Sequence, residues 1–200
     1  MTKQNAVNTL LQTDAFFKKH GHGYKTWGNV KVGQAAVRIN NFGYALTSVN
    51  ADMNNLKEEQ IQICVADQSI FQKIFSTRKN IEMILITEQQ YASQIRKEVP
   101  AILDDQAQLL GVSVRVARSD NEAPYALKNR FAAILPNQKS ICIGNSLDDA
   151  FVAAQLLEKT SKVFIEATVL GGAKPINKIE AWLMQKYYQF KYSKEAVKNI

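Results

Sequence analysis

Five short apolar runs lie between residues 61 and 144: IQICVA, EMILI, VSVRVA, FAAIL and SICIG. Each has strand length rather than helix length, and VSVRVA alternates apolar with polar as a half-buried strand does. Helical patterns separate them. Asp67 sits where an N-cap belongs, ahead of Ile70, Phe71, Ile74 and Phe75 at helical spacing. Thr87-Glu88-Gln89-Gln90 reads as a capping box that opens a helix through Arg96. Pro100 can begin another helix through Leu110, closed by Gly111. The clearest helix has Ser146 and Asp149 as its cap, with Leu147, Ala150, Phe151, Ala154, Leu157, Ser161 and Phe164 on one stripe until Gly171-Gly172 stops it. A last helix starts near Pro175 and carries Ile179, Trp182, Leu183 and Lys186. At the other end, a helix over Asn5 to Lys19 precedes the strand NVKVGQAAVRI, and NNFG reverses the chain into YALTS. Short strands interleaved with helices predict an α/β layered fold, a sheet covered by helices.

The chain of 200 residues fits one domain, residues 1–200, without a linker or repeat. Its 46% apolar and 22% charged shares are those of a folded chain. No apolar run approaches the roughly 18 residues of a membrane span, and the polar N-terminus does not read as a signal peptide. Cys64 and Cys142 each lie inside an apolar run, as buried thiols do, so the cytoplasm is the expected location. The net charge of +7 is spread along the chain. Its nearest approach to a patch is terminal, where Lys186, Lys191, Lys194 and Lys198 interleave with Tyr187, Tyr188, Phe190 and Tyr192. Such residues can stack bases and neutralise phosphate. An amphipathic segment packed on its own protein or on a neighbouring subunit explains them more simply, and nucleic acid is not the expected partner.

Several segments, in order, resemble the class II aldolase/adducin family, which includes L-fuculose-phosphate aldolase and L-ribulose-5-phosphate 4-epimerase. Gly28-Asn29-Val30-Lys31 resembles the family's Gly-Asn-Ile-Ser loop, and an Arg-bearing strand and Gly43-Tyr44-Ala45-Leu46-Thr47-Ser48 follow it. Further matches are Val99-Pro100, Ala107 to Gly111, Ile134-Leu135-Pro136-Asn137-Gln138, Gly144, Ser146-Leu147, Ala150-Phe151 and Leu157-Glu158. The resemblance covers roughly residues 5 to 175. It implies an α+β, three-layer fold whose central sheet is mostly antiparallel, in a cyclic homotetramer with sites at subunit boundaries.

The departures from the family carry the functional argument. Members hold zinc with a His-x-His pair and a third histidine in an Asn-His-Gly motif, and Ile86, Glu88 and Gln138 stand at the matching positions. Zinc takes nitrogen and sulfur donors in tetrahedral array. Isoleucine offers no lone pair and a carboxamide oxygen is a poor ligand, so neither zinc nor another cofactor is expected. In the family the ion stabilises an enediolate, a Lewis-acid role worth several kcal/mol. The acid/base glutamate falls opposite Asp67, one methylene shorter. Of the family's phosphate pocket, Gly28, Asn29, Thr47 and Ser48 persist, while Lys31 replaces a serine and can bind an anion as a point charge.

Competing readings stand beside these. Asp67 as a helix cap outweighs Asp67 as a catalytic carboxylate. Glu88, Gln138 and Asp67 could form an oxygen-rich site for Mg²⁺ or Mn²⁺, though three ligands are a bare minimum. His20 and His22 are a two-donor pair, short of the three or four ligands of a zinc site. Lys31 and Lys139 each replace a small residue of the matched motifs and together make a positive pocket for an anion. The expectation is a non-catalytic member of this fold: an oligomeric scaffold, a regulatory subunit, or a binder of small anions or sugar phosphates. The alternative is a divergent sugar-phosphate lyase or epimerase with a non-zinc cation or no metal.

Overall fold

A computed structural model describes residues 1–12, 30–40, 43–49 and 51–198, with side chains to residue 191. The apolar runs form strands because each finds partners on a common sheet. The strands are β1 (Val30–Arg38), β2 (Gly43–Thr47), β3 (Ile61–Val65), β4 (Met83–Gln89), β5 (Val99–Pro100), β6 (Ser113–Val116), β7 (Ala132–Ile134) and β8 (Ser140–Gly144). Among the described residues they order as β3-β2-β1-β4-β8-β7-β6-β5. Only β6 and β7 run parallel; every other neighbouring pair is antiparallel. The helices are α1 (Lys3–Leu11), α2 (Ile70–Thr77), α3 (Asp104–Leu109), α4 (Ala123–Ala126), α5 (Leu147–Val169) and α6 (Lys178–Lys198). The mostly antiparallel, helix-covered sheet is the expected architecture.

Strand alternation sorts the core into two faces. On β4, Ile84 and Ile86 point one way and pack with Phe71, Ile74 and Phe75 of α2 and Leu127 after α4. Met83 and Leu85 point the other way, toward Ala6 and Leu10 of α1 and Phe151 of α5. Helix α5 starts where the sequence places it: the Ser146 side chain accepts from the Asp149 N–H at 3.1 Å. Its buried stripe includes Ala150, Phe151, Ala154, Leu157 and Ser161. Gly144 lets this helix approach, since a Cβ there would lie 2.4 Å from the Ala150 nitrogen. Gly171 and Gly172, with φ of 106° and 105°, end the following turn in the left-handed region that glycine favours. Helix α6 docks on α3 through Ala107, Ala181 and Met184. Among the described residues no helix is long and apolar enough to cross a membrane.

Five expectations are corrected. The capping box at Thr87-Glu88-Gln89-Gln90 opens no helix: β4 runs on to Gln89, paired with β1 and β8, and only a 3-10 turn over Ala92–Gln94 follows. Sheet pairing overrides the local pattern. Ser69, not Asp67, caps α2, its side chain accepting from the Gln72 N–H at 3.1 Å. Pro100 lies in β5, and α3 begins only at Asp104. The run IQICVA is an edge strand, with Val65 61% exposed, because β3 pairs on one side only. Helix α1 ends at Leu11, and what was expected of residues 13–29, 41, 42 and 50 lies outside the described residues. That set includes Gly28, Asn29, His20 and His22.

Candidate functional site

Register decides which predicted residues can meet. Lys31 on β1 stands directly across from Glu88 on β4, and Thr87 stands across from Ser140 on β8. The β7–β8 hairpin therefore brings Asn137, Gln138 and Lys139 to the same end of the sheet. Counting by twos from Ile84 and Ile86, Glu88 projects from the face covered by α2 and α4, and Lys31 projects beside it. These residues line a cleft of about 400 Å³ together with Gln89 and Ser93. Four sequence candidates, Lys31, Glu88, Gln138 and Lys139, thus share one site.

Its electrostatics centre on Glu88. Lys139 Nζ lies 2.9 Å from Glu88 Oε1, and Lys31 Nζ lies 3.3 Å from Oε2. The two lysines grip one oxygen each, and their hydrogen bonds and charge hold the Glu88 carboxyl below the usual carboxylate range. The hairpin that delivers Lys139 is tightly built. Lys139 N–H donates to Asn137 Oδ1 at 3.1 Å, Gln138 N–H donates to the Leu135 carbonyl at 3.1 Å, and Gln138 takes φ of 66°. A non-glycine residue in that region is uncommon and marks a constrained turn.

On α5, which covers the other face of the sheet, lies Glu158, with none of its surface exposed. Its carboxylate accepts from the Tyr91 N–H at 2.9 and 3.1 Å and from the Ala92 N–H at 2.9 Å, which fixes the turn carrying Ser93. Burial raises its pKa, and the backbone N–H donors only partly oppose that. The sequence contained the signal, since Leu157-Glu158 belongs to the matched stretch, but nothing in one sequence tells that this carboxylate turns inward. Asn137 likewise stands in a matched motif without a site role there, and Ser93 falls within the span read as a helix through Arg96.

The remaining candidates lie elsewhere. Thr47 has the parity of Ala45, on the α1 face, and its Oγ1 accepts from the Ala35 N–H at 3.0 Å beside the bulge in β1. Ser48 sits in the exposed turn after β2, its N–H donating to the Gln60 carbonyl at 2.8 Å. Asp67 follows β3, whose end pairs with Gly43, and Tyr44 stands across from Arg38. From Lys31 to Arg38 is seven steps along β1 at about 3.3 Å each, so Asp67 lies roughly 20 Å from Glu88. Its oxygens accept from Tyr44 Oη at 2.6 Å and from the Ser69 N–H at 3.0 Å. Burial pushes the Asp67 pKa up, but hydrogen bonding by the Ser69 side chain, the Tyr44 hydroxyl and the Ser69 N–H outweighs it and holds the group below its ordinary value. Asp67 and Glu88 of one chain cannot act on one small substrate.

Zinc does not fit the three matched positions. Ile86 is buried in the core, Glu88 already carries two ammonium groups, and Gln138 has only its carboxamide. Among the described residues no group of three or more His, Cys, Asp or Glu is placed to hold a metal ion. Cys64 and Cys142 are both free thiols, Cys142 buried and pushed up to about 12 by desolvation.

The sequence matches no family model and no curated protein. Solved structures are similar in fold. An L-fuculose 1-phosphate aldolase superposes with a TM-score of 0.77 at 18% identity, over 94% of this chain and 98% of its own. The L-fuculose 1-phosphate aldolase from Glaciozyma antarctica gives 0.67 at 17% identity, over 91% and 80%. The L-fuculose-1-phosphate aldolase from Thermus thermophilus gives 0.64 at 13% identity, over 87% and 100%. Spanning most of these enzymes from end to end, the chain has the fold of the class II aldolases.

Proposed function

We propose that the chain is a non-catalytic protein of the class II aldolase fold that binds a small anion in the cleft at the end of β4. The observation that carries this reading is the contact of both lysine ammonium groups with Glu88, the one carboxylate at the three positions matched to metal ligands. A divalent cation there would face two ammonium groups at contact range, a repulsion of about 1 kcal/mol per pair of unit charges where water screens it and more where it does not. Aldol cleavage by this fold requires an electrophile to stabilise the enediolate, and two ammonium groups already paired to a carboxylate are poorly suited to that task. The role is that of a cytoplasmic, cofactor-free binding or regulatory protein, a homotetramer formed from one domain per chain.

The test uses the full chain purified without chelator. Metal content is measured per chain, and cleavage of L-fuculose 1-phosphate is assayed with and without added Zn²⁺, Mg²⁺ and Mn²⁺. The expected result is substoichiometric metal and no turnover under any condition. Stoichiometric metal that is lost in Glu88→Ala, or metal-dependent cleavage of the sugar phosphate, overturns the proposal. Light scattering at working concentration checks the tetramer.

A further inference from the structure

The lysine pair and Glu88 together define what kind of anion the cleft takes, an inference that rests on the non-metal reading above. Two ammonium groups and one carboxylate leave the triad with a net charge of +1 when Glu88 is its only anion. A dianion in place of Glu88 would bring the lysine pair to neutrality. The oxygen spacing of a phosphate group is close to that of a carboxylate, so each ammonium can keep its place while one oxyanion replaces the other. Lysine recognises phosphate as a point charge and needs no planar fork to match. Donors without charge stand around it. Asn137, whose Oδ1 accepts from the Lys139 N–H, places one carboxamide in the lining. Gln138 adds a second carboxamide to the lining. About 400 Å³ holds a phosphate group with a small organic remainder.

We infer that the cleft is a phosphate site with a built-in competitor, in which Glu88 occupies Lys31 and Lys139 until the phosphate group of a small monoester displaces it. The site is reversed in sign relative to a metal centre at the same positions: Glu88 opposes the ligand rather than holding it. Exposure of the three side chains is consistent with exchange. Lys31 is 76% exposed, Glu88 42% and Lys139 34%, so the carboxylate can swing into water and the ammonium groups it leaves keep contact with solvent.

Isothermal titration of the full chain with inorganic phosphate and with glycerol phosphate tests this. Glu88→Gln is expected to bind both about five- to tenfold tighter than wild type, because losing the competitor removes two ion pairs that water reaches, each worth at most about one factor of five. Lys139→Met is expected to lose at least tenfold, and circular dichroism confirms that both variants are folded. Tighter binding of the ester than of the free ion assigns the ligand to an organic phosphate. Equal or weaker binding of the ester overturns that assignment. Unchanged or weaker phosphate binding in Glu88→Gln overturns the competitor, and full binding in Lys139→Met overturns the site. These outcomes are separate from the metal measurement: stoichiometric metal in wild type that disappears in Glu88→Gln overturns the underlying reading whatever phosphate does.

Discussion

Two carboxylates lie toward opposite ends of the sheet, Asp67 after β3 and Glu88 on β4, and their surroundings differ in kind. Asp67 is held by neutral donors fixed in the fold, the Tyr44 hydroxyl and the Ser69 N–H, beside an aromatic cluster of Tyr44, Phe71 and Phe75. Glu88 is held by two ammonium groups on long side chains, Lys31 exposed and Lys139 partly exposed, and lines a cleft. Neutral, buried donors make an ion part of the architecture. Mobile charged donors leave it exchangeable, because an exposed ion pair is worth little and water can replace either partner. The same contrast exists at this end of the sheet, where the buried Glu158 on the α5 face accepts backbone N–H bonds while Glu88 on the other face meets ammonium groups.

The largest effect expected from this contrast is at Glu158. Glu158→Ala removes the acceptor of the Tyr91 and Ala92 N–H groups from a position with no access to water. Stability should fall by about 3 kcal/mol, since each buried unpaired donor costs roughly 1–3 kcal/mol. Urea denaturation measures it. A loss below about 1 kcal/mol would mean that the turn does not depend on Glu158, and the cleft end would then lack its anchor. Asp67→Ala comes next, at about 1 kcal/mol, for the Ser69 N–H left without its acceptor near the surface, while the Tyr44 hydroxyl keeps its 2.6 Å contact with Ser69 Oγ. Tyr44→Phe in the same background should add a further loss of about 1 kcal/mol but less than the sum of the single changes, because the two share the Tyr44–Asp67 bond while the Tyr44–Ser69 bond is lost only with the hydroxyl.

Much of this contrast could not be read in advance. Helix α5 was legible, since the Ser146 cap and the stripe through Leu157 are local features that the tertiary structure reinforces. The existence of the strands was legible from their apolar runs, and the layered antiparallel architecture from the family resemblance. Position along and across the sheet was not. Ile61 to Val65 reads as buried, yet nothing in the run says it would be an edge. Asp67 aligned with a catalytic glutamate, but only the register of β3 against β2 shows that the strand delivers it to the far end. Lys31 and Glu88 are 57 residues apart, and their contact follows from the β1–β4 pairing alone. Sequence spacing locates chemistry within an element, and pairing locates elements relative to one another.

Acid titration separates the two carboxylates by sign. The Asp67 pKa is depressed in the folded state, so its contribution is complete above the ordinary value near 3.9 and is lost as pH falls through the lower folded value. The Glu158 pKa is raised, so the native state holds its proton more firmly than the unfolded chain does. Stability then declines as pH rises from about 4.3 through the raised value. Denaturation midpoints from pH 3 to 7 should show wild type losing its advantage over Asp67→Asn on the acid side. Its advantage over Glu158→Gln should instead shrink toward neutral pH. Parallel trends for the two variants would remove the distinction.

The smallest expected effect is the most discriminating. Glu88→Gln should alter stability by less than about 1 kcal/mol, because it breaks two solvated ion pairs that roughly molar salt would largely screen in any case. Urea midpoints of wild type and variant should converge as salt is added. A loss approaching that of Asp67→Ala would place Glu88 among the architectural ions, with its lysines as supports rather than ligands. A near-neutral change in stability together with tighter phosphate binding has a different meaning. It would show a carboxylate kept at this end of the sheet for the equilibrium it sets with a ligand and not for the fold, which is the property that Asp67, at the other end, lacks.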